Sequence, residues 1–315
     1  MKQVVITGPT GAVGVGLVRA CIREGARVYA LVRPGSPRIG QLPRHPLVQV
    51  VPVDIRELEK AKSQLPKGCE VFYHLAWEGT FGDNRNNMEL QVTNIRHTLD
   101  AVKLAVALGC KAFVGAGSQA EYGRVEGDLT PQAPTFPENG YGMAKLCAGQ
   151  MSRELCRSLG IRHVWTRILS VYGPCDGAGT MIMSTIRRLL AGECPPLTAG
   201  EQQWDYLYSK DAGRALYLLG EKGKDGAVYC LGSGKARPLR EYIVELRDVV
   251  ALGAQLGFGA IPYGPGQVMR LCADISTLTR DTGFVPEYSF GEGIRETCAW
   301  VQEQMMRQKH QKEEE

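Results

Sequence analysis

Short apolar segments alternate with helical segments through the first half of the chain. The apolar segments predict buried strands at 4–6, 27–32, 47–53, 69–75, 111–114 and 162–168. The segments between them have helical spacing, and the predicted helices cover 12–24, 57–65, 84–108 and 141–159. This repeated strand–helix alternation predicts βαβ units, and therefore an α/β fold with a doubly wound parallel sheet.

The regular alternation fades after Tyr172. Residues 174–180 and 192–203 are rich in glycine and proline, and we interpret them as loops around a helix at 181–191. A helix and a strand that return to the sheet are predicted at 210–220 and 227–231. The remainder up to residue 308 predicts two or three helices and one short strand, which would form a smaller lobe over the carboxyl edge of the sheet.

Composition and charge exclude several classes of protein. The 37 basic and 33 acidic residues give a net charge of only +4, spread along the chain, which argues against nucleic-acid binding. No apolar run reaches the ~18 residues of a membrane span, and the N-terminus lacks the pattern of a signal peptide. The ten cysteines form no C-x-x-C pair and no zinc-type cluster, so we expect a reduced, cytoplasmic protein without a metal site.

The first predicted strand leads into a glycine-rich turn before a helix. Glycine permits a tight turn and lets the backbone approach a pyrophosphate, while the helix N-terminus offers N–H groups to the phosphates. A glycine-rich turn without a ligand is the alternative interpretation. We predict a dinucleotide-binding turn, with the pattern G-x-x-G-x-x-G, formed by Gly8, Thr10, Gly11, Ala12, Val13 and Gly14.

The second and third strands end near residues that would bind the adenosine half of the cofactor. No acidic residue occurs between the second strand and Asp54, whereas an NAD site usually has one there. Arg33, with Ser36 or Arg38, therefore favours NADP, with NAD as the second choice; the alternative is that Arg33 is a surface charge. Asp54, followed by Ile55, would contact the adenine amine or cap the next helix.

Tyr141 and Lys145 are one helical turn apart on the same face of a predicted helix. A nearby ammonium lowers the pKa of a tyrosine, which can then exchange a proton with an alcohol or a ketone. Ser118 follows the fifth strand at the same edge of the sheet, where its hydroxyl would hold the substrate oxygen. We predict that these three residues are catalytic; their order after the glycine turn argues against a chance Y-x-x-x-K pair.

The ordered motifs TGPTGAVG, HLAW, GAGSQAEYG, YGMAK, RILSVYGP and CADISTLTRDTGFVP resemble those of the extended short-chain dehydrogenases/reductases, over roughly residues 1–305. Many members act on nucleotide-activated sugars as epimerases, dehydratases, decarboxylases or ketoreductases. The resemblance implies a Rossmann domain that carries NAD(P), a substrate-binding lobe, and a homodimer formed through the helices at 84–108 and 141–159. We assign residues 1–173 and 210–235 to the domain, 174–209 and 236–308 to the lobe, and 309–315 to a frayed tail.

The resemblance also implies roles for single residues. Ser118 matches the family Ser/Thr, Tyr141 the catalytic tyrosine, and Lys145 the lysine that also holds the nicotinamide ribose. Asn94 falls where the family often has a structural asparagine, although an ordinary polar helix position is the alternative. Further residues implied to line the cofactor are Leu75, Ala76, Trp77, Leu169 and Val171.

Departures from the family pattern narrow the chemistry. The dehydratases carry an Asp-Glu pair directly after the Ser/Thr, where this chain has Gln119 and Ala120. The decarboxylases tend to have a glutamate at the position of Ala120, and the epimerase-reductases that make GDP-fucose have a cysteine there. Glu121 could be an acid in the pocket, but its usual counterpart is apolar and structural. Trp77 replaces a small residue, so its ring would intrude on the pocket, stack on a ligand ring, or pack within its loop.

The substrate lobe departs from the pattern as well. Trp204 occupies the position of an arginine that often contacts the substrate diphosphate, so that contact is in doubt. Arg270 or the arginines at 187–188 are candidate replacements, although such residues are more often surface charges. We expect Asp205 and Asp211 to fix loop and helix ends. The predicted substrate contacts are Trp77, Gln119, Trp204 and Arg270.

The sequence therefore predicts an NADP(H)-dependent reductase that acts on a keto group of a nucleotide sugar, specifically a 4-keto-6-deoxy sugar. A 4-epimerase with tightly bound NAD is the second hypothesis, because the same three catalytic residues would serve. A non-catalytic NADP-binding regulator is the third, and the intact catalytic set argues against it. The predicted partners are the small-molecule substrate and a second copy of the chain, not nucleic acid or a membrane.

Overall fold

A computed structural model describes residues 1–314, and for residues 310–314 it describes the helical backbone only. The strands are β1 (Gln3–Thr7), β2 (Arg27–Val32), β3 (Val48–Pro52), β4 (Val71–His74), β5 (Ala112–Ser118), β6 (Arg162–Ile168), β7 (Ser170–Tyr172), β8 (Pro196–Leu197), β9 (Gln203–Trp204), β10 (Tyr206–Tyr208), β11 (Ala227–Leu231), β12 (Arg237–Pro238), β13 (Gly257–Phe258) and β14 (Arg270–Leu271).

Helices connect most of these strands. The α-helices are α1 (Ala12–Arg23), α2 (Met88–Ala107), α3 (Gly140–Leu159), α4 (Met181–Leu190), α5 (Ser209–Lys222), α6 (Leu239–Val250), α7 (Ser276–Thr282) and α8 (Phe290–Glu314). Short 3₁₀ helices cover Ile39–Gln41, Ile55–Ser63, Gly82–Asn86 and Gln119–Glu121.

The central sheet has seven parallel strands in the order β11-β6-β5-β4-β1-β2-β3, which confirms the predicted doubly wound α/β fold. Side chains of β1 alternate between two cores. Val4 and Ile6 pack in the core formed with α1 and α5, whereas Val5 packs in the core formed with α2 and α3. Because helices cover both faces, the strands are continuously apolar rather than alternating.

The strand order reverses at β1, which pairs with β2 on one side and β4 on the other. The connections that leave the two central strands β1 and β4 run to opposite faces, so a crevice opens between them at the carboxyl edge of the sheet. The glycine turn follows β1, and Leu75 and Ala76 follow β4. The fold therefore places both predicted cofactor-binding segments at this crevice.

The C-terminal lobe consists of short strand pairs and helices. β9 pairs with β12 and β14, β8 with β13, and β7 with β10. Helices α4, α6 and α8 enclose a separate apolar core that contains Ile186, Leu246 and Ile294. Five of these strands have only two residues, which is too short for a recognisable period, and so the sequence predicted loops where β8 and β9 occur.

Several element boundaries differ from the predictions, most of them by one or two residues. The long helix begins at Met88 rather than at 84, because the Asn87 side chain accepts a hydrogen bond from Leu90 N and caps it. β5 continues to Ser118 instead of ending at 114. Helix α8 is described to Glu314, and Glu315, the last residue of the segment predicted to be frayed, lies outside the described residues.

None of the helices within residues 1–314 combines the length and the apolar character needed to cross a bilayer.

Candidate active site

The glycine turn packs so closely that two of its positions exclude a side chain. Gly8 has a φ of +66°, and a Cβ there would lie 2.7 Å from the backbone nitrogen of Ala76. A Cβ on Gly14 would lie 2.3 Å from the carbonyl oxygen of Gly8. At Gly11, in contrast, a Cβ would meet nothing within 4 Å. Open space therefore lies in front of the turn, where a pyrophosphate would fit.

Helix α1 starts at this open space. Its N-cap is Gly11, no side chain caps it, and its first turn has no acidic residue. The N–H groups of Ala12 and Val13 in the first turn therefore have no side-chain competitor for an anion, and the partial positive charge of the helix end is not neutralised. Thr10 is half-buried just before the helix. The turn and the helix end together suit the phosphates of a dinucleotide.

A buried hydroxyl joins β1 to the end of β4. Thr7 Oγ1 accepts hydrogen bonds from Leu75 N at 3.2 Å and Ala76 N at 3.3 Å, and it lies 3.0 Å from His74 Nδ1. Burial lowers the pKa of His74 to about 3, so the ring is neutral. These bonds hold Leu75 and Ala76 opposite Gly8, in the crevice where the resemblance places the cofactor.

Two more predicted cofactor residues follow β6 at the same edge. Leu169 is buried, and its N–H donates to the carbonyl oxygen of Leu231 at 3.0 Å. Val171 is half-buried in β7, where it pairs with Leu207 of β10. Their backbone thus extends the carboxyl edge towards the substrate lobe.

The loop after β2 holds the arginines predicted to select the cofactor. Arg33 is exposed at the end of the strand, and Ser36 is half-buried nearby. The Arg38 guanidinium donates to the carbonyl oxygen of Cys175 at 2.6 Å and to the Gln41 side chain at 3.1 Å. Arg38 therefore ties this loop to the segment after β7, whereas Arg33 extends into solvent beside the adenosine end of the crevice.

Asp54 has the capping role that was one of its two predicted alternatives. Its Oδ1 atom accepts a hydrogen bond from Arg56 N at 2.9 Å, and it is the N-cap of the 3₁₀ helix that begins at Ile55. The cap fixes the backbone of this turn next to β3.

Ser118 is held in place by a buried glutamate. Glu121 Oε1 accepts hydrogen bonds from Ser118 N at 2.8 Å and Trp165 Nε1 at 3.0 Å, and Oε2 accepts from Arg167 Nε at 2.8 Å. Glu121 and Arg167 form a buried ion pair, so the charge of each compensates the other. Both carboxylate oxygens are occupied within the protein. Glu121 is thus a structural anchor of the Ser118 turn and not an acid of the pocket.

Helix α3 presents Tyr141 and Lys145 to Ser118. Asn139 caps the helix by accepting a hydrogen bond from Gly142 N at 2.9 Å, which sets where its first turn lies. The Lys145 ammonium donates to the carbonyl oxygen of Ala116 at 2.5 Å and lies 5.8 Å from the centre of the Tyr141 ring. The fold therefore brings together the three residues that the sequence predicted as catalytic.

Two cations lie near Tyr141, and the sequence predicted one of them, Lys145. Burial raises the pKa of Tyr141, while the hydroxyl of Ser118 and the positive charge of Arg85 lower it. Burial lowers the pKa of Lys145 itself, to about 7. The permanent cation next to Tyr141 in this structure is Arg85, a residue that sequence reasoning missed.

Arg85 was missed because the helical pattern from 84 onwards includes it as an ordinary helix position. In the structure it belongs to the 3₁₀ turn before α2, and its guanidinium lies 4.4 Å from the centre of the Tyr141 ring. The one available signal was Asn87, a favoured N-cap residue that separates Arg85 from the helix.

Trp77 intrudes on the pocket, which is one of its three predicted alternatives. The Lys145 ammonium lies 3.8 Å from the centre of the Trp77 ring, and the ring meets Tyr141 edge-on at 6.1 Å. Its Nε1 atom donates to Gln91 Oε1 at 2.9 Å, which fixes the ring plane. Trp77 therefore forms a rigid wall against both catalytic side chains of α3.

The other predicted substrate contacts lie further out. Gln119 and Arg270 line a groove of about 320 Å³. The guanidinium of Arg270 pairs with Asp128, with Nη2 at 2.5 Å from Oδ1, and both side chains are exposed; the phosphate contact of Arg270 stays a prediction. Trp204 donates to Ser170 Oγ at 2.8 Å and lines a separate cavity of about 370 Å³ between α4 and α6.

Three other buried polar residues, Asn94, Asp205 and Asp211, hold backbone segments in place. This structural role was predicted for Asp205 and Asp211, and it was one of the two alternatives for Asn94. Asn94 Oδ1 accepts a hydrogen bond from Glu78 N at 3.0 Å, Asp205 Oδ1 accepts one from Ser233 N at 2.8 Å, and Asp211 Oδ2 accepts one from Tyr288 N at 3.0 Å.

The fold and the site define a class of protein: a Rossmann enzyme that uses a nicotinamide cofactor and contains a Ser–Tyr–Lys set like that of the short-chain dehydrogenases/reductases. Comparison with known proteins leads further. The model of the "NAD dependent epimerase/dehydratase family" matches residues 4–232, and the chain belongs to this family.

Several relatives act on nucleotide sugars. The chain is 26% identical to the dTDP-glucose 4,6-dehydratase of Neisseria meningitidis serogroup B, over 95% of this chain and 93% of the relative. A solved UDP-N-acetylglucosamine 4-epimerase from Methanobrevibacter ruminantium M1, in complex with UDP-N-acetylmuramic acid, has a TM-score of 0.86 and 25% identity, over 96% of this chain and 99% of the other. DesIV, a dTDP-glucose 4,6-dehydratase of Streptomyces venezuelae with NAD bound, shares the fold. Its TM-score is 0.82 at 24% identity, over 96% of this chain and 97% of the other.

Proposed function

We propose that this protein is an NADPH-dependent ketoreductase that acts on a nucleotide-activated 4-keto-6-deoxy sugar. The observation that carries the proposal is the set Ser118, Tyr141 and Lys145, beside which the carboxylate of Glu121 is held in a buried ion pair with Arg167. Elimination of water from a sugar needs an additional acid and base, but Gln119 and Ala120 occupy the positions after Ser118, and Glu121 is consumed by its internal hydrogen bonds. What remains is proton transfer to a carbonyl oxygen.

Each residue of the set has a defined task in such a reduction. The reduced nicotinamide supplies the hydride when it is bound. Ser118 orients the carbonyl oxygen, and Tyr141 donates a proton to it. The Lys145 ammonium would hold the ribose of the cofactor by hydrogen bonds and would add positive charge near Tyr141. The Trp77 wall limits the space beside Tyr141, which supports a reductase, since a 4-epimerase must let the keto sugar rotate.

Support for NADP comes from the loop after β2. Arg33 is exposed there, and no acidic residue is present to bind the ribose hydroxyls. A 2′-phosphate would pair with Arg33, and its charge would be repelled by an acid at the same place. The DesIV structure contains NAD, so the cofactor is a point at which we propose that this chain departs from that relative.

The runner-up is a 4-epimerase with tightly bound NAD. Similarity to the Methanobrevibacter ruminantium epimerase over nearly the whole chain favours it. The two proposals differ in the fate of the cofactor, because an epimerase regenerates its cofactor in each turnover and a reductase consumes it.

The substrate lobe contains an apolar cavity that could contact the nucleotide. The cavity of about 370 Å³ is lined by Trp204, Tyr206, Leu239 and Ile243, so we propose that it holds the base of the nucleotide. Gln119 faces the groove next to Ser118 and is proposed to contact the sugar.

We also propose that two copies of the chain associate through α2 and α3. These helices expose a group of apolar side chains, Met88, Val92, Met143 and Met151, which a second copy would bury. The variant Val92→Glu with Met151→Glu should shift the protein from dimer to monomer in light scattering. Leu252→Glu, at an apolar residue that is 83% exposed on another surface, is the matched control and should leave the dimer intact.

The test of the proposed function is a coupled assay. A purified dehydratase would supply a nucleotide 4-keto-6-deoxy sugar, and NADPH oxidation would be followed in the presence of this protein. Stoichiometric NADP⁺ and a reduced sugar support the proposal. No oxidation with dTDP-, UDP-, GDP- or CDP-linked keto sugars would refute it.

A further inference from the structure

Arg85 is held over the Tyr141 ring by contacts that do not involve that ring. Its Nη1 atom donates to the carbonyl oxygen of Thr80 at 3.1 Å. The neighbouring Asn86 accepts a hydrogen bond from Gly140 N at 2.9 Å, one residue before Tyr141. The turn that carries the guanidinium is thus attached to the start of α3. The distance of 4.4 Å from Arg85 Cζ to the ring centre is fixed by the backbone on both sides.

The two cations near Tyr141 have different properties. Lys145 is buried, and that burial lowers its pKa to about 7, so it loses charge at and above neutral pH. Arg85 is half-buried, and a guanidinium stays charged at every pH at which the protein functions. Lys145 also lies further from the ring centre, at 5.8 Å, and its ammonium faces Trp77. Of these two residues, Arg85 is the one that provides a positive charge independent of pH.

When Tyr141 gives up its proton, the O–H bond of the phenol breaks and a new O–H bond forms on the substrate oxygen. The ring then carries a full negative charge. A cation over the ring face attracts a neutral ring weakly and a phenolate much more strongly. Arg85 therefore favours the state that follows proton transfer.

We propose that Arg85 is a second cation that, together with Lys145, stabilises the Tyr141 phenolate. The inference rests on the proposed function in so far as Tyr141 is the proton donor. The other groups that act on Tyr141 are the hydroxyl of Ser118, which lowers its pKa, and Glu121, whose negative charge opposes ionisation. Arg85 is a positioning residue that acts through Tyr141 and does not need to touch the substrate.

The test measures the ionisation of Tyr141 directly, without a substrate. Protein labelled with ¹³Cζ-tyrosine is titrated by NMR, and the signal of Tyr141 is identified as the one absent in Tyr141→Phe. Arg85→Gln should raise the pKa of Tyr141 by at least about one unit, as expected for the loss of a neighbouring opposite charge. Arg157→Gln removes an equal charge from an exposed position on α3, the helix that carries Tyr141, and should leave the pKa of Tyr141 unchanged. An unchanged pKa in Arg85→Gln would overturn the inference.

A second variant covers the case in which Arg85→Gln does not fold. Asn86→Ala releases the turn from Gly140 but keeps the guanidinium, and it should raise the pKa of Tyr141 by a smaller amount. No rise in Asn86→Ala would then count against the inference. If the pKa rises as expected but no keto sugar is reduced, the proposed function fails and the inference about Tyr141 stands. If keto sugars are reduced but the pKa does not move, the inference fails and the function stands.

Discussion

The cofactor edge and the substrate lobe of this protein are built in opposite ways. At the edge, backbone contacts determine the form: a Cβ on Gly8 or Gly14 would collide with main-chain atoms. In the lobe, two-residue strands carry large side chains such as Trp204, and Arg270 of the lobe is paired with Asp128 of the domain. The edge has little freedom to vary, whereas the lobe can exchange one side chain for another.

This difference matches part of the chain's departures from its family. The glycine turn, Ser118, Tyr141 and Lys145 match the family pattern and lie at the edge, but so do Gln119 and Ala120, which depart from the dehydratase pattern. The position of the diphosphate-binding arginine, which Trp204 occupies, lies in the lobe. Trp77 contacts Tyr141 and Lys145. We therefore expect the reaction chemistry to depend on the edge, and the choice of substrate to depend on the lobe and on Trp77.

The largest expected effect is at the edge. Tyr141→Phe removes the proton donor while it keeps the ring that Arg85 and Trp77 contact. We expect kcat to fall by about 10²–10⁴-fold, the usual contribution of a positioned acid, with NADPH affinity little changed. Steady-state kinetics and calorimetric titration with NADPH provide the two readouts. A variant that retained most of its turnover would show that the proton comes from another group.

Two glycines of the turn allow the effect of packing on stability to be measured separately from the effect on ligand binding. Gly14→Ala places a Cβ against Gly8 O and should lower the free energy of unfolding by about 1–3 kcal/mol, the usual cost of overpacking. Gly11→Ala places a Cβ in open space at an extended backbone position (φ −84°, ψ 169°). It should melt close to the wild type and yet bind NADPH more weakly, because the methyl group enters the space of the phosphates. Equal loss of stability in both variants would contradict this assignment.

Arg33 tests the cofactor choice. Arg33→Ala should weaken NADPH binding by about tenfold or more, the worth of charge-assisted hydrogen bonds, and leave NADH binding unchanged. Arg44→Ala removes another exposed arginine from the same loop and is the control. Equal weakening of NADPH and NADH binding would show that Arg33 does not bind the 2′-phosphate.

The smallest effect is expected in the lobe. Trp204→Arg restores the family arginine and should tighten binding of free nucleoside diphosphates by a few-fold up to about tenfold, at the expense of the hydrogen bond to Ser170. Trp204→Phe removes that bond without adding charge and should not tighten binding. Weaker binding in Trp204→Arg would show that the diphosphate lies away from this strand.

The sequence alone was enough to predict the part of the fold in which strands and helices alternate regularly. The strands at 27–32, 162–168 and 227–231 have the predicted bounds, because parallel strands covered on both faces have continuous apolar runs. The catalytic residues could be identified because each follows a strand or starts a helix at one edge. Arg85, in contrast, contacts Tyr141 from 56 positions away in the chain through a 3₁₀ turn that has no sequence period. The pairing of Arg270 with Asp128 spans an even longer separation, and no local pattern predicts it.

The most direct test of the central claim follows one deuterium atom. The protein would be mixed with NADPH deuterated at the transferable position of the nicotinamide and with a nucleotide 4-keto-6-deoxy sugar, and the products analysed by mass spectrometry and NMR. Our account predicts one deuterium at C4 of the sugar for each NADP⁺ formed. Interconversion of 4-epimers without deuterium, by protein that retains NAD through purification, would contradict it and identify the enzyme as an epimerase.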